Sequence, residues 1–252
     1  MRFASLGSGS KGNATIVECG NTRVMIDCGF SAKETERRLA RLNLEPQQLD
    51  AILVTHEHAD HSSGVSVVSR KFNIPVYLTH GTQSTGRCGK LPFAHYFNCG
   101  VEFDLGDIAV STVAVPHDAR EPCQYILSGR GKTLGVLTDL GSITPFIVDS
   151  YGGCDAMVLE FNHDSKMLAE GDYPAALKRR VGSDWGHLNN GQSAEFLERV
   201  NTDNFQHLVV AHVSDKNNCS TIAMAALEEV CDLDGRTLLA DQDLGFNWLE
   251  LN

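Results

Sequence analysis

The 252-residue sequence predicts an α/β protein in which two sheets pack together and helices lie outside them. Three observations carry this reading. Short apolar, β-branched runs dominate the middle of each half of the chain. Helical stretches are interspersed in both halves. No repeat, low-complexity tract or Pro/Ser-rich linker interrupts a chain that is 42% hydrophobic, enough to bury one large core. Residues 1–252 are therefore expected to form one domain.

The opening "MRFASLGSGSKGN" lacks an apolar signal-peptide core, and no segment reaches the length of a membrane span. "GSGSKG" at 7–12 satisfies the dinucleotide fingerprint G-x-G-x-x-G. That motif works only where the loop opens a helix that meets a pyrophosphate. Here it leads into a predicted hairpin, so it reads as a turn that lets backbone approach a site. The hairpin joins "TIVEC" (15–19) to "RVMID" (23–27) across Gly20-Asn21. "SAKETERRLARLN" (31–43) is a helix, with Ser31 as N-cap and Glu34 three residues on. "DAILVT" (50–55) is a buried strand, 63–72 a helix and 74–79 another strand. Further strands are expected at 101–105, 108–115, 123–128, 132–138, 155–160, 207–213, 236–240 and 246–250. Helices fit 172–180, 191–200 and 218–230.

Eight cysteines are scattered without a C-x-x-C pair, which points to reduced thiols in a cytoplasmic protein. The net charge of −11 argues against a general polyanion binder. That count includes any carboxylates that hold metal and omits the metal's own charge. The basic stretches "LKRRV" (177–181) and "SRKF" (69–72) read as solvated helix faces.

"LVTHEHADH" (53–61) crowds three imidazoles and two carboxylates behind an apolar strand. Such crowding is costly unless something binds there. His56 and His58, two apart at a strand end, point the same way and can share one metal ion. Asp60 and His61 follow after the chain turns and can face a second. The donor set suits zinc, manganese or iron better than calcium or magnesium. The helical H-E-x-x-H motif fails, because Asp60 stands where its second histidine should be. Three other strand ends carry one ligand-capable group each: His117 in "VAVPHDA", Asp139 in "LGVLTDLG", where Gly141 frees the backbone, and His212 in "HLVVAHVS". Rigid strands converging on one sheet edge hold a metal site better than loops.

"THEHADH", then His117, Asp139 and His212 in this order, resembles the metallo-β-lactamase fold superfamily over nearly the whole chain. The resemblance implies an αββα four-layer sandwich, two mixed sheets with helices outside, and a dinuclear site at one edge of the sheets. It implies His56, His58 and His117 on a first metal, Asp60, His61 and His212 on a second, and Asp139 between them. "SGSKGN" (8–13), "PHDA" (116–119), "LEFNHD" (159–164), "GHLNN" (186–190) and "AHVSDKNN" (211–218) together resemble the bacterial YycJ/WalJ group, regarded as nucleases and similar to tRNA-processing phosphodiesterases. The long arm of tRNA 3′-end enzymes and the inserted domain of RNA-degrading relatives have no counterpart in the sequence. The resemblance therefore implies a nucleic-acid substrate with DNA favoured over RNA, and 5′-to-3′ exonuclease action.

The expected chemistry is metal-assisted phosphodiester hydrolysis by a hydroxide activated on two divalent transition-metal ions, zinc or manganese, with iron also compatible. Asp60 orients the nucleophile, Glu160 fixes the tautomer of His187, and His187 serves the leaving oxygen. His163 competes for that role, and a structural ion pair is the competing reading of Glu160. A thioester or lactone hydrolase on the same centre, or a non-catalytic metal-stabilised interaction module, are the alternative functions.

Overall fold

The computed structural model describes residues 1–231, 233 and 235–252. The chain opens with β1 (Arg2–Gly7), β2 (Ala14–Cys19), β3 (Thr22–Ile26), α1 (Ala32–Arg41) and β4 (Ala51–Leu53). It continues through α2 (Ala59–Ser62), α3 (Val65–Phe72), β5 (Val76–Thr79), α4 (His80–Ser84) and β6 (Ala94–Phe97). Then come β7 (Glu102–Leu105), β8 (Ile108–Ala114), β9 (Cys123–Gly129), β10 (Lys132–Leu137) and α5 (Pro145–Tyr151). After β11 (Ala156–Glu160) follow α6 (Ser165–Glu170), α7 (Ala175–Val181) and α8 (Asn190–Arg199). β12 (His207–Ala211), α9 (Ser220–Glu228), β13 (Thr237–Leu239) and β14 (Phe246–Glu250) complete the order.

Two seven-stranded sheets result, ordered β14-β1-β2-β3-β4-β5-β6 and β13-β12-β11-β10-β9-β8-β7. Each is mixed. Three antiparallel pairings at one side give way to three parallel ones at the other. The αββα sandwich read from the sequence is the architecture found.

Alternation along the central strands explains the layers, since successive side chains point to opposite faces. Val24, Ile26, Ala51 and Leu53 of one sheet meet Leu134, Val136, Ala156 and Val158 of the other in a cluster between the sheets. Met25 and Ile52, on the opposite face, pack with Leu39 of α1 and with Val65 and Val68 of α3. Met157, Leu159, Leu208 and Val210 pack outward against Ile147, Phe196 and Leu227 of α5, α8 and α9. Both faces of these strands are thus apolar, as parallel strands covered on both sides require. Each Val, Leu, Ile, Phe or Met among them contributes about 1.5–3 kcal/mol on burial.

Local signals behave as expected at several points. Gly20 takes φ 60° in the two-residue turn that pairs Cys19 with Thr22. The Ser31 hydroxyl accepts from Glu34 N–H at the start of α1. The capping box does not close, because the Glu34 carboxylate turns instead to Arg37 and Arg38. Strand β1 was not anticipated: "RFASLG" has few β-branched residues and is held by its neighbours β2 and β14. Edge strand β6 and helices α2, α4, α5 and α6 likewise lie outside the sequence expectations. For α5 the signal was present, a Thr144 cap before Pro145 at the first helical position. Among the described residues, no helix is long and apolar enough to cross a membrane.

Candidate metal centre

Four strand ends deliver the candidate ligands to one place. His56 lies three residues beyond β4, His117 three beyond β8, Asp139 two beyond β10 and His212 immediately after β12. After β4 the chain bends at Glu57 and reaches His58, whose extended backbone caps the single turn α2 carrying Asp60 and His61. Asp139 and His212 adopt left-handed backbone, with φ of 54° and 51°. Such positions cost of order 1–3 kcal/mol and persist where the surroundings impose them. Freedom was expected at Gly141, but Asp139 itself makes the turn. Gly141 provides room instead: a Cβ there would collide with the backbone of Asp184 and Gly186.

His56, His58 and His117 form one group, each offering a ring nitrogen within 4.8 Å of the others. Their outer nitrogens fix which atoms face inward. Thr55 Oγ1 donates to Asp27 and accepts from His56 Nδ1 at 2.9 Å, which leaves the buried His56 Nε2 without a partner. His117 Nδ1 donates to the Gly186 carbonyl at 2.9 Å, and its Nε2 faces His58 Nδ1 at 3.2 Å.

Asp60, His61 and His212 form the second group. His61 Nδ1 donates to Asp27 Oδ2 at 2.7 Å, so one buried carboxylate orients His56 through Thr55 and His61 directly. His212 Nδ1 donates to Glu160 Oε2 at 3.0 Å. The two Nε2 atoms each stand 3.5 Å from Asp60 Oδ2. Asp139 lies between the groups, Oδ2 at 3.2 Å from His61 Nε2 and Oδ1 at 3.7 Å from His212 Nε2 and 3.9 Å from His117 Nε2.

The donor set fits a cation on observations of its own. His56 Nε2, His212 Nε2 and Asp139 Oδ2 are buried without a hydrogen-bond partner, a costly arrangement unless a ligand completes it. Carboxylates stand behind His61 and His212, a carbonyl behind His117, and Thr55 links His56 to Asp27. Such partners are the usual support of metal-bound imidazole, and mixed imidazole and carboxylate donors suit transition metals.

Electrostatics agrees. For His61, burial works against the charged ring, but Asp139, Asp60 and Asp27 outweigh it and hold the pKa well above the ordinary value. For His212, burial is likewise outweighed by Asp139, Asp60 and Glu160, and the pKa rises to about 10. His56, by contrast, is pushed well below its ordinary value by burial and by His61. Without cations, protons on His61 and His212 balance the carboxylates, and a cation must displace them. Metal uptake near neutral pH is therefore expected to release protons, and apparent affinity should climb as pH rises from about 6 to 9. Calorimetry in buffers of different ionisation heat would measure both; a pH-independent affinity without proton release would contradict it.

A family model described as the β-lactamase superfamily domain matches residues 22–212. The chain belongs to this superfamily. It is 35% identical to exodeoxyribonuclease YycJ of Bacillus anthracis over 239 residues, covering 93% of this chain and 90% of the relative. Its fold is similar to that of the metallo-β-lactamase fold protein YhfI from Bacillus subtilis, with a TM-score of 0.76 at 14% identity over 99% of both chains. It is also similar to the Zn²⁺-bound PqqB from Methylobacterium extorquens, with a TM-score of 0.75 at 14% identity over the full length of both. Superfamily membership and the clustered histidines and aspartates together support bound divalent metal ions.

In this superfamily member, the candidate centre opens into a cleft of about 390 Å³ bordered by His58, Asp60, Asp139, His187 and His212. His187 stands just before α8, with Nδ1 donating to Glu160 Oε2 at 2.9 Å. Glu160 is fully buried and also accepts from Leu188 N–H at 2.9 Å and Asp139 N–H at 3.1 Å. Burial pushes its pKa up, but His187 and His212 outweigh that and hold it at about 2. His163, the competing candidate, is buried outside the cleft lining.

Sequence reasoning missed several residues here. Asp27 is one. Asn13, on the Gly-rich loop, donates through its backbone to Asp60 O at 2.8 Å and places its side chain 3.1 Å from His61 Nε2. Ser8 on the same loop accepts from His212 N–H at 2.9 Å. The reading of this loop as a backbone approach to the site is correct. Within "LKRRV", Arg180 is exposed, as a solvated helix face implies, and it also borders the cleft and pairs with Asp118.

Proposed function

We propose that this chain is a metal-dependent nuclease that hydrolyses phosphodiester bonds in DNA, removing nucleotides from a 5′ end. In this reading residues 1–252 act as one domain, and eight cysteines scattered without a C-x-x-C pair fit a reducing cytoplasm. His56, His58 and His117 would hold one divalent cation; Asp60, His61 and His212 would hold the second, with Asp139 shared. Zinc and manganese fit the donors best, with iron compatible. Bound there, the cations would supply Lewis acidity toward a phosphate and acidify water.

The protein's own groups supply the rest. Asp60, at the cleft wall, orients the attacking water. Glu160 accepts the Nδ1–H of His187 and so presents Nε2 to the cleft. With a proton on each ring nitrogen, His187 keeps Nδ1–H on Glu160 and passes Nε2–H to the leaving oxygen, ending as the neutral Nδ1–H tautomer. This supported imidazole beside Asp139, with Nδ1 at 3.7 Å from Oδ1, is the observation that carries the reading. Arg87 and Arg180 at the cleft wall offer positive charge to a phosphate chain despite the net charge of the molecule. The relative named exodeoxyribonuclease is similar over nearly the whole chain, which favours DNA.

End-labelled single- and double-stranded DNA and RNA, incubated with added Mn²⁺ or Zn²⁺, test the substrate. Shortening of DNA from its 5′ end is expected; hydrolysis confined to a thioester or lactone would overturn the reading. His187→Ala is expected to keep its metal and lose about 10²–10⁴-fold in turnover. Unchanged turnover would place the proton donor elsewhere.

A further inference from the structure

The cleft contains a polar side chain that the metal chemistry leaves unused. Three residues bordering it carry buried polar atoms without a hydrogen-bond partner among the described residues: Asp139, His212 and Asn217. Cations account for the first two. Asn217 is 1% exposed, and both Oδ1 and Nδ2 are unpartnered. Its backbone is pinned, the N–H on Ser214 Oγ at 3.2 Å and the carbonyl on Asp164 N–H at 2.8 Å. The neighbouring Asn218 shows the contrast: its amide donates to Phe161 O at 2.9 Å and exchanges hydrogen bonds with Asn190. One asparagine of the pair is structural, while the other keeps a donor and an acceptor for something outside the fold. A buried amide left in this way is costly unless a ligand satisfies it.

We infer that Asn217 reads the edge of a nucleobase flanking the scissile phosphate, in a base pocket continuous with the metal centre. This rests on the nuclease reading above. The location is set by Gly171, where a Cβ would come 2.8 Å from Asn217 Oδ1, so the amide lies beside the turn that leads to Tyr173. Tyr173 and Leu177 border the same cleft and provide an aromatic and an aliphatic surface, which suits a stacked base. A carboxamide pairs with adjacent donor and acceptor groups, and every base offers such an edge. A phosphate has acceptors only and would leave Oδ1 opposed. The cleft volume of about 390 Å³ falls within the range of small-ligand sites, about 300–1,000 Å³.

The test uses full-length protein with Mn²⁺ and oligonucleotides whose terminal or penultimate nucleotide is either intact or abasic. The wild type should favour the base-bearing substrate by about tenfold or more in kcat/KM. In Asn217→Leu that ratio should collapse toward one, and likewise in Asn217→Asp, which keeps the size but loses the donor; metal content verifies that each variant is folded. A variant that retains the ratio, or a wild type indifferent to the missing base, overturns the inference while leaving the nuclease reading standing. A wild type that hydrolyses bis-p-nitrophenyl phosphate but no oligonucleotide overturns both.

Discussion

Asp139→Asn is expected to abolish nearly all phosphodiester hydrolysis and to lower bound metal, while leaving the fold intact. Asparagine has the same shape and tolerates the left-handed φ of 54° found at this position. What it lacks is the second anionic oxygen. Asp139 faces His61 and His212 of one ligand group and His117 of the other, all within 3.9 Å. Burial works against its charge, but His212 and His61 hold the carboxyl ionised, well below the ordinary range. Losing a group that only supports a ligand costs roughly 10–100-fold. In the proposed centre Asp139 would be shared by both groups, so its loss should exceed that, in kcat/KM on bis-p-nitrophenyl phosphate and in metal retained after gel filtration. Near-normal turnover with full metal would remove Asp139 from the centre.

Glu160→Gln should have the second largest effect, with a different signature. The carboxylate takes N–H groups from His187, His212, Asp139 and Leu188. An amide would turn its own NH₂ toward some of these donors, leaving buried groups unsatisfied at about 1–3 kcal/mol each. His187 and His212 would both lose their tautomer control, so activity should fall roughly 10–100-fold with metal only partly lost. Stability supplies a further check. The folded pKa of Glu160, about 2, lies below its ordinary 4.5. Its stabilisation is therefore fully present above 4.5 and lost as pH falls toward 2. The wild type should lose more stability than Glu160→Gln across that acidic window, measured by urea unfolding. Equal losses would mean that the carboxylate is not held as described.

Much of the architecture was legible because the central strands are apolar on both faces, and such runs stand out without any partner in view. Strands β1 and β6 were not, since their pairing comes from residues distant in sequence: β1 lies beside β14, at the other end of the chain. The candidate ligands were legible for a similar reason, as each is a lone polar group at the end of an apolar run. The same signal marks Asp27, where "MIDCG" repeats the pattern of "LTDLG" around Asp139. Both aspartates take left-handed backbone, with φ of 61° and 54°. Asp27 was absorbed into the hairpin because no histidine adjoins it in sequence; His61 reaches it only in the fold. Asn13, Asn217 and Gly186 lie inside motifs that carry the resemblance, but nothing in their local spacing marks a role. Their roles arise from where loops meet, which a single sequence does not encode in spacing.

The most direct test is the metal content of wild-type protein purified in chelator-free buffer, measured by elemental mass spectrometry against protein concentration. If strand ends from both sheets bring two sets of donors together around Asp139, about two equivalents of transition metal per chain should be found. Less than about one equivalent, after incubation with excess Zn²⁺ and Mn²⁺, would contradict the account.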